Sequence, residues 1–334
     1  MENEDSMRKN MTTAAVVTAA LMAALAGGTA SATTTGSLRP AAAQQEAVPS
    51  RIAVHFDLAK GQTPENIALS PDGTAYVTFA AARQVAMVTR KGTTRILATM
   101  PAPMDGGVDT PVLKFALTTG IVRTDDGTLY FLYASGAAET TGLYRLREGG
   151  TPTRVAALPA TGLPNGLALD ERSKTFYITD SALGTISTVR LGDHRASVWS
   201  SAPQLASTGF IGVNGVKVRD GAVWASNLDK GTLLRIPLRH GRPGPIKVMA
   251  EGLAGIDDFA FAGSGDDRVI ATLHGISSVV RVGPKGKVTT LLTASDGLQN
   301  PTSVAVRGRT LHVLSAAFTT ATDPNLLLAT LPRH

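Results

Sequence analysis

The sequence predicts an all-β fold: a six-bladed β-propeller with four-stranded antiparallel blades around a central channel. Three observations carry this. A strand-start pattern recurs six times, the recurrences fall at blade length, and no stretch beyond the N-terminus keeps a helical apolar stripe for about 12 residues before Gly or Pro interrupts it.

The six segments are PENIALSPDGTAYVTF, TGIVRTDDGTLYFLY, PNGLALDERSKTFYITD, VNGVKVRDGAVWASN, IDDFAFAGSGDDRVIATL and PTSVAVRGRTLHVLS. Each opens on a turn or polar residue and continues with alternating apolar positions, as a half-buried strand requires. With Ile67, Ile121, Leu167, Val216, Phe259 and Val304 taken as equivalent, the spacings are 54, 46, 49, 43 and 45 residues. These match the length of a four-stranded blade. A β-sandwich would not generate six similar units.

Within the first blade the alternation predicts strands at Asn66 to Ser70, Thr74 to Phe79, Gln84 to Val88 and Thr93 to Ala98. Arg51 to Asp57 is left over. It is expected to pair with the C-terminal segment and close the ring, which removes exposed strand edges. The two tryptophans, Trp199 and Trp224, are expected in outer or second-strand packing.

Residues 1–32 read as a signal peptide. Arg8 and Lys9 precede an Ala-, Val- and Leu-rich run from Met11 to Leu25, and Ala30-Ser31-Ala32 is a small-residue cleavage site. The apolar run is shorter than the ~20 residues a membrane span needs. Residues 33–50, rich in Thr, Ala, Gln and Pro, read as a flexible leader, and 51–334 as the propeller. The expected location is secreted or extracytoplasmic, with no stable membrane span after cleavage.

The 334 residues include no cysteine, which excludes disulfides, thiol nucleophiles and an acylated-Cys anchor. The formal charge is +6; the first 32 residues carry two basic and three acidic side chains, so their loss raises it to +7. The basic residues are scattered through turns without a helical or aromatic-stacking motif, which argues against nucleic acid as a partner. A small-molecule ligand and a monomer are expected. There is no G-x-S-x-G, H-E-x-x-H or phosphate-loop motif.

Equivalent positions at the start of each inner strand form a ring around the propeller axis: Glu65, Thr119, Asn165, Asn214, Asp257 and Thr302. All six carry side-chain oxygen. Two carboxylates and two carboxamides suit a hard divalent cation, with water or substrate completing the shell; calcium is favoured, and magnesium, manganese or zinc are the alternatives. The expected ligands are Glu65, Asn165, Asn214 and Asp257, with Thr119 and Thr302 at the pocket rim. Each residue taken alone also suits an ordinary turn.

These residues resemble the senescence-marker-protein/gluconolactonase family, which includes regucalcin-like lactonases. The resemblance spans about Arg51 to Pro332 and is most specific in PNGLALDERSKTFYITD and VNGVKVRDGAVWASN. It implies a six-bladed propeller with an axial divalent metal held by Glu, Asn, Asn and Asp, met here by Glu65, Asn165, Asn214 and Asp257. The chain has PEN where the family often has E-G-P, IDD where it often has P-D-G, and Leu163 where it often has Arg.

The resemblance implies metal-assisted hydrolysis of a lactone or ester. Asp257 is the expected base and Asp258 the next candidate, only one of the pair aiming down the channel if strand alternation holds. Loops between second and third strands are expected on the ring face, bringing Arg83, Asp180, Asn227, Asp229, Lys230 and His274 to the rim. Similar propellers also condense amines with aldehydes or guide cycloadditions, and a non-enzymatic ligand-binding propeller fits the same residues.

Overall fold

The structure, a computed structural model, describes residues 48–103, 110–263 and 266–332. The signal peptide and most of the leader lie outside the described residues.

Six antiparallel sheets succeed one another along the chain. Blade 1 comprises β2 (Pro64–Leu69), β3 (Ala75–Phe79), β4 (Gln84–Val88) and β5 (Thr94–Thr99). Blade 2 comprises β6 (Leu117–Arg123), β7 (Leu129–Ala134), β8 (Gly142–Leu146) and β9 (Thr153–Ala157). Blade 3 comprises β10 (Pro164–Asp170), β11 (Thr175–Asp180), β12 (Thr185–Arg190) and β13 (Ala196–Ser200).

Blade 4 comprises β14 (Val213–Arg219), β15 (Ala222–Asn227) and β16 (Thr232–Arg239), with β17 (Arg242–Pro243) and β18 (Lys247–Ala250) sharing the outer edge of β16. Blade 5 comprises β19 (Ile256–Gly263), β20 (Asp266–Leu273), β21 (Ser278–Val282) and β22 (Val288–Leu292). Blade 6 comprises β23 (Pro301–Arg307), β24 (Thr310–Ser315) and β25 (Asn325–Thr330), and its outer strand is β1 (Ser50–His55) from the other end of the chain. The expected closure is therefore formed, with Ser50 opposite Ala329 and His55 opposite Asn325.

Six buried apolar clusters each fill the seam between consecutive blades. Strand alternation explains this. Ile67 and Leu69 face blade 6, while Ala68, between them, faces blade 2. Ile67, Ile121, Leu167, Val216, Phe259 and Val304 are all buried. Trp199 lies on the outer strand β13 against Tyr177, and Trp224 on the second strand β15 against Phe261. No helix among the described residues is long and apolar enough to cross a membrane.

Candidate functional site

The ring residues sit at a repeated irregularity. In every inner strand the pairing with the second strand slips at this point: between Pro64 and Asn66, Thr118 and Ile121, Pro164 and Leu167, Val213 and Val216, Ile256 and Phe259, and Pro301 and Ser303. A bulge bends the strand and re-aims side chains. Asn165 and Asn214 are each followed by glycine because the next blade's backbone lies there: an added Cβ at Gly166 would come 2.3 Å from Asn214 O, and at Gly215 2.9 Å from Asp258 Cα.

The bulge corrects the expectation that only one of Asp257 and Asp258 faces the channel. Asp257 Oδ1 accepts a hydrogen bond from Asn214 Nδ2 at 2.9 Å. Asp258 is bonded by Lys217 Nζ of blade 4 (2.6 Å), Ser303 Oγ of blade 6 (2.8 Å) and Asn66 Nδ2 of blade 1 (3.3 Å). A blade 5 side chain that touches blades 4, 6 and 1 at once lies in the channel. Two adjacent residues thus share it, because simple alternation fails at a bulge.

Glu65, Asn165, Asn214 and Asp257 are all buried. Burial, reinforced by repulsion from Asp258, pushes the Glu65 carboxyl up to about 8. Burial and repulsion from Glu65 and Asp258 hold Asp257 well above the usual carboxylate range, against the hydrogen bond from Asn214. Asn165 Nδ2 donates to Ser181 Oγ (3.2 Å), whose hydroxyl donates to Val213 O (2.8 Å). With both amide nitrogens engaged, the Oδ1 atoms of Asn165 and Asn214 are the donor atoms available to a cation. Two buried carboxylates and two such carbonyls are the donor types a divalent ion takes, although among the described residues no group of three His, Cys, Asp or Glu side chains is placed to hold one.

His274, in the turn after β20, belongs to this centre and not to an outer rim. Its Nδ1 lies 3.7 Å from Asp257 Oδ2, is buried and has no hydrogen-bond partner among the described residues. Burial pushes the imidazole down to about 4, so it is neutral at physiological pH. Phe318 flanks it, with ring centroids 5.9 Å apart.

Thr119 and Thr302 do something other than line a rim. Thr119 Oγ1 donates to Pro164 O and Thr302 Oγ1 to Pro64 O, each at 2.9 Å, so each hydroxyl crosses to the next blade. At the other four seams a second-strand hydroxyl does this: Thr78 to Thr119 O, Thr179 to Asn214 O, Ser226 to Asp257 O and Thr272 to Thr302 O.

The remaining rim candidates are already engaged. Asp180 Oδ1 accepts from the backbone of Leu163, Ala182 and Leu183. Asp229 accepts from the backbone N–H groups of Thr208 to Ile211. Asn227 Nδ2 donates to the carbonyls of Gln204, Leu205 and Ala206. Arg83 bonds the carbonyls of Met100 and Ala81, and Lys230 Nζ that of Pro203.

Lys217 was not anticipated. Its register position in the other inner strands holds Ala68, Val122, Ala168, Ala260 and Ala305, so one lysine among five small or branched apolar residues was the available signal.

Among solved structures the chain is similar to regucalcin from Agrobacterium tumefaciens, described as calcium-binding: 16% identity, TM-score 0.63, covering 86% of this chain and 95% of that one. A gluconolactonase from Xanthomonas campestris gives 13% identity and TM-score 0.62, over 88% and 99%. The three share a fold. A catalytically inactive virginiamycin B lyase from Staphylococcus aureus, solved with quinupristin, gives 18% identity and TM-score 0.58 over 82% of each chain. No protein-family model matches the chain, and no curated protein matches it by sequence.

Proposed function

We propose that this chain is an exported, monomeric enzyme of the senescence-marker-protein/gluconolactonase family, a divalent-cation-dependent hydrolase that opens a lactone or ester at the axial ring. The observation that carries the reading is a pair of buried ring carboxylates, Glu65 and Asp257, each pushed up by burial and by neighbouring carboxylates, with the Asn214 amide bonded to Asp257 and the Asn165 amide at the equivalent ring position. Regucalcin and gluconolactonase, with the same fold, support it.

A calcium ion held by Glu65, Asn165, Asn214 and Asp257 would supply Lewis-acid polarisation of the substrate carbonyl. The chain's own groups do the rest. Asn214 fixes Asp257 through Oδ1, which leaves Oδ2, on the His274 side, to take a proton from the attacking water. His274 stays neutral, so its ring accepts or passes on a proton without placing a fixed charge beside the carboxylate. Ser181 holds the Asn165 amide in orientation.

The test is metal content and calcium affinity of the purified protein, for wild type, Glu65→Gln and Asp257→Asn, followed by a lactone and ester panel. The reading expects one stoichiometric ion, weakened in both variants, and ion-dependent turnover. Calcium affinity indifferent to both substitutions would overturn the ligand set, and ion binding without turnover on the panel would leave a binding propeller.

A further inference from the structure

The geometry points to a substrate with an apolar chain or ring beside its reacting carbonyl, seated on an apolar arc over blades 6, 1, 2 and 3. The inference rests on the hydrolytic reading of the axial site and narrows its substrate class.

The arc begins one side chain from the chemistry. Phe318, on the turn after β24, packs on His274, whose Nδ1 is 3.7 Å from Asp257 Oδ2. Phe318 also joins a cluster built on Ala80, Leu117 and Leu163, all buried, with Phe115 and Ala182 half-buried against it. The sequence places this cluster at the ring face. Leu117 precedes Thr119 by two residues, Leu163 precedes Asn165 by two, and Ala80 follows the end of β3, which pairs with Pro64. Six clusters pack blade on blade; this seventh lies where the inner strands begin. Half-buried aromatic rings beside a reacting centre are what an apolar ligand pocket presents.

The polar groups of the same face favour an apolar ligand as well. A polyhydroxylated sugar lactone is recognised through several side chains with free hydrogen-bonding atoms. Here Asp180, Asn227, Asp229, Arg83 and Lys230, five polar groups of the ring-face turns, bond their own or adjacent loops. Leu183, on the β11–β12 turn of blade 3, and Ile276, on the β20–β21 turn of blade 5, stand exposed.

The experiment is calorimetric titration of the calcium-loaded full chain with three non-hydrolysable lactams: unsubstituted δ-valerolactam, its 6-octyl derivative and the polyhydroxylated gluconolactam. At ~0.8 kcal/mol per buried methylene, seating two or more methylenes favours the octyl compound by about tenfold or more. Phe318→Ala and Phe115→Ala, checked by their melting curves as folded, should each cut that preference severalfold. Gluconolactam or the bare ring binding as tightly as the octyl lactam, no binding of the octyl lactam, or a preference that both variants leave intact, would overturn the inference. If the octyl lactam is preferred but the octyl lactone survives incubation, the apolar site stands and the hydrolase reading alone fails.

Discussion

Lys217 Nζ stands 2.6 Å from Asp258 Oδ1 and ties blade 4 to blade 5 inside the channel. Asp258 is 2% exposed and Lys217 28%, so the carboxylate is the partner that cannot recover water if the pair breaks. Lys217→Met leaves a buried charge with only the neutral groups of Ser303 and Asn66. The expected cost is roughly 3 kcal/mol, at the low end for a buried pair because solvent reaches the lysine. Urea denaturation should show it, and Lys217→Met with Asp258→Asn should recover a large part. A double variant no more stable than the single one would show that the pair does not act as a unit.

The carboxylates of the ring make metal-free stability depend on pH. Glu65 titrates near 8 in the folded protein against an ordinary value of 4.5, so folding favours its protonated form. Its contribution is complete below about pH 4.5 and is lost as pH rises through 8; Asp257 acts in the same direction. His274 and His312 oppose this at lower pH, since both are pushed from 6.5 down to about 4 and their contribution is lost as pH falls through that window. Between about pH 6.5 and 8 the carboxylates alone set the slope. The melting temperature in EDTA should therefore fall across that interval, flatten in Glu65→Gln, and be restored by calcium. A flat wild-type profile would contradict the burial of Glu65 and Asp257 that raises both groups.

Much of this centre was legible in the sequence, and what was missed has a definite cause. Equivalent positions could be counted off because each inner strand repeats Ile67-like and Leu69-like apolar positions, and that count led directly to Glu65, Asn165, Asn214 and Asp257. Alternation misled at Asp257–Asp258 because a bulge is a pairing irregularity with no local signature beyond the glycines at 120, 166 and 215, which the fifth blade lacks. Polarity also misled at the turns. Asp180 and Asp229 look like groups offered to a ligand, yet their oxygens cap backbone N–H groups that an exposed turn would otherwise leave to water.

His274 separates catalysis from cation binding. Its Nδ1, without a hydrogen-bond partner among the described residues, faces Asp257 Oδ2 from outside the proposed ligand set. His274→Ala should lower kcat by about 100-fold, the lower range for loss of an acid-base group, while calcium affinity stays within about twofold. His274→Gln, which keeps a polar atom but cannot exchange a proton near neutrality, should rescue KM more than kcat. Equal loss of calcium affinity and kcat in both variants would instead make the imidazole a prop for Asp257.

The threonines of the ring close the propeller by a rule that can be tested seam by seam. Blades 1, 3, 4 and 5 carry Thr78, Thr179, Ser226 and Thr272 on the second strand, and each hydroxyl reaches the following blade's ring carbonyl. The same register position holds Leu132 in blade 2 and Leu314 in blade 6, and there the ring residue itself is threonine and crosses the seam. Thr302→Val strips the only such side-chain bond described at the closing seam and leaves Pro64 O buried without that donor, so it should cost about 1–3 kcal/mol in urea denaturation. Thr302→Ser retains the hydroxyl and should recover most of it. Calcium affinity should be unchanged in either, because the hydroxyl points along the ring to Pro64. A marked loss of calcium binding in Thr302→Val, with stability intact, would return this threonine to the pocket and remove it from the seam.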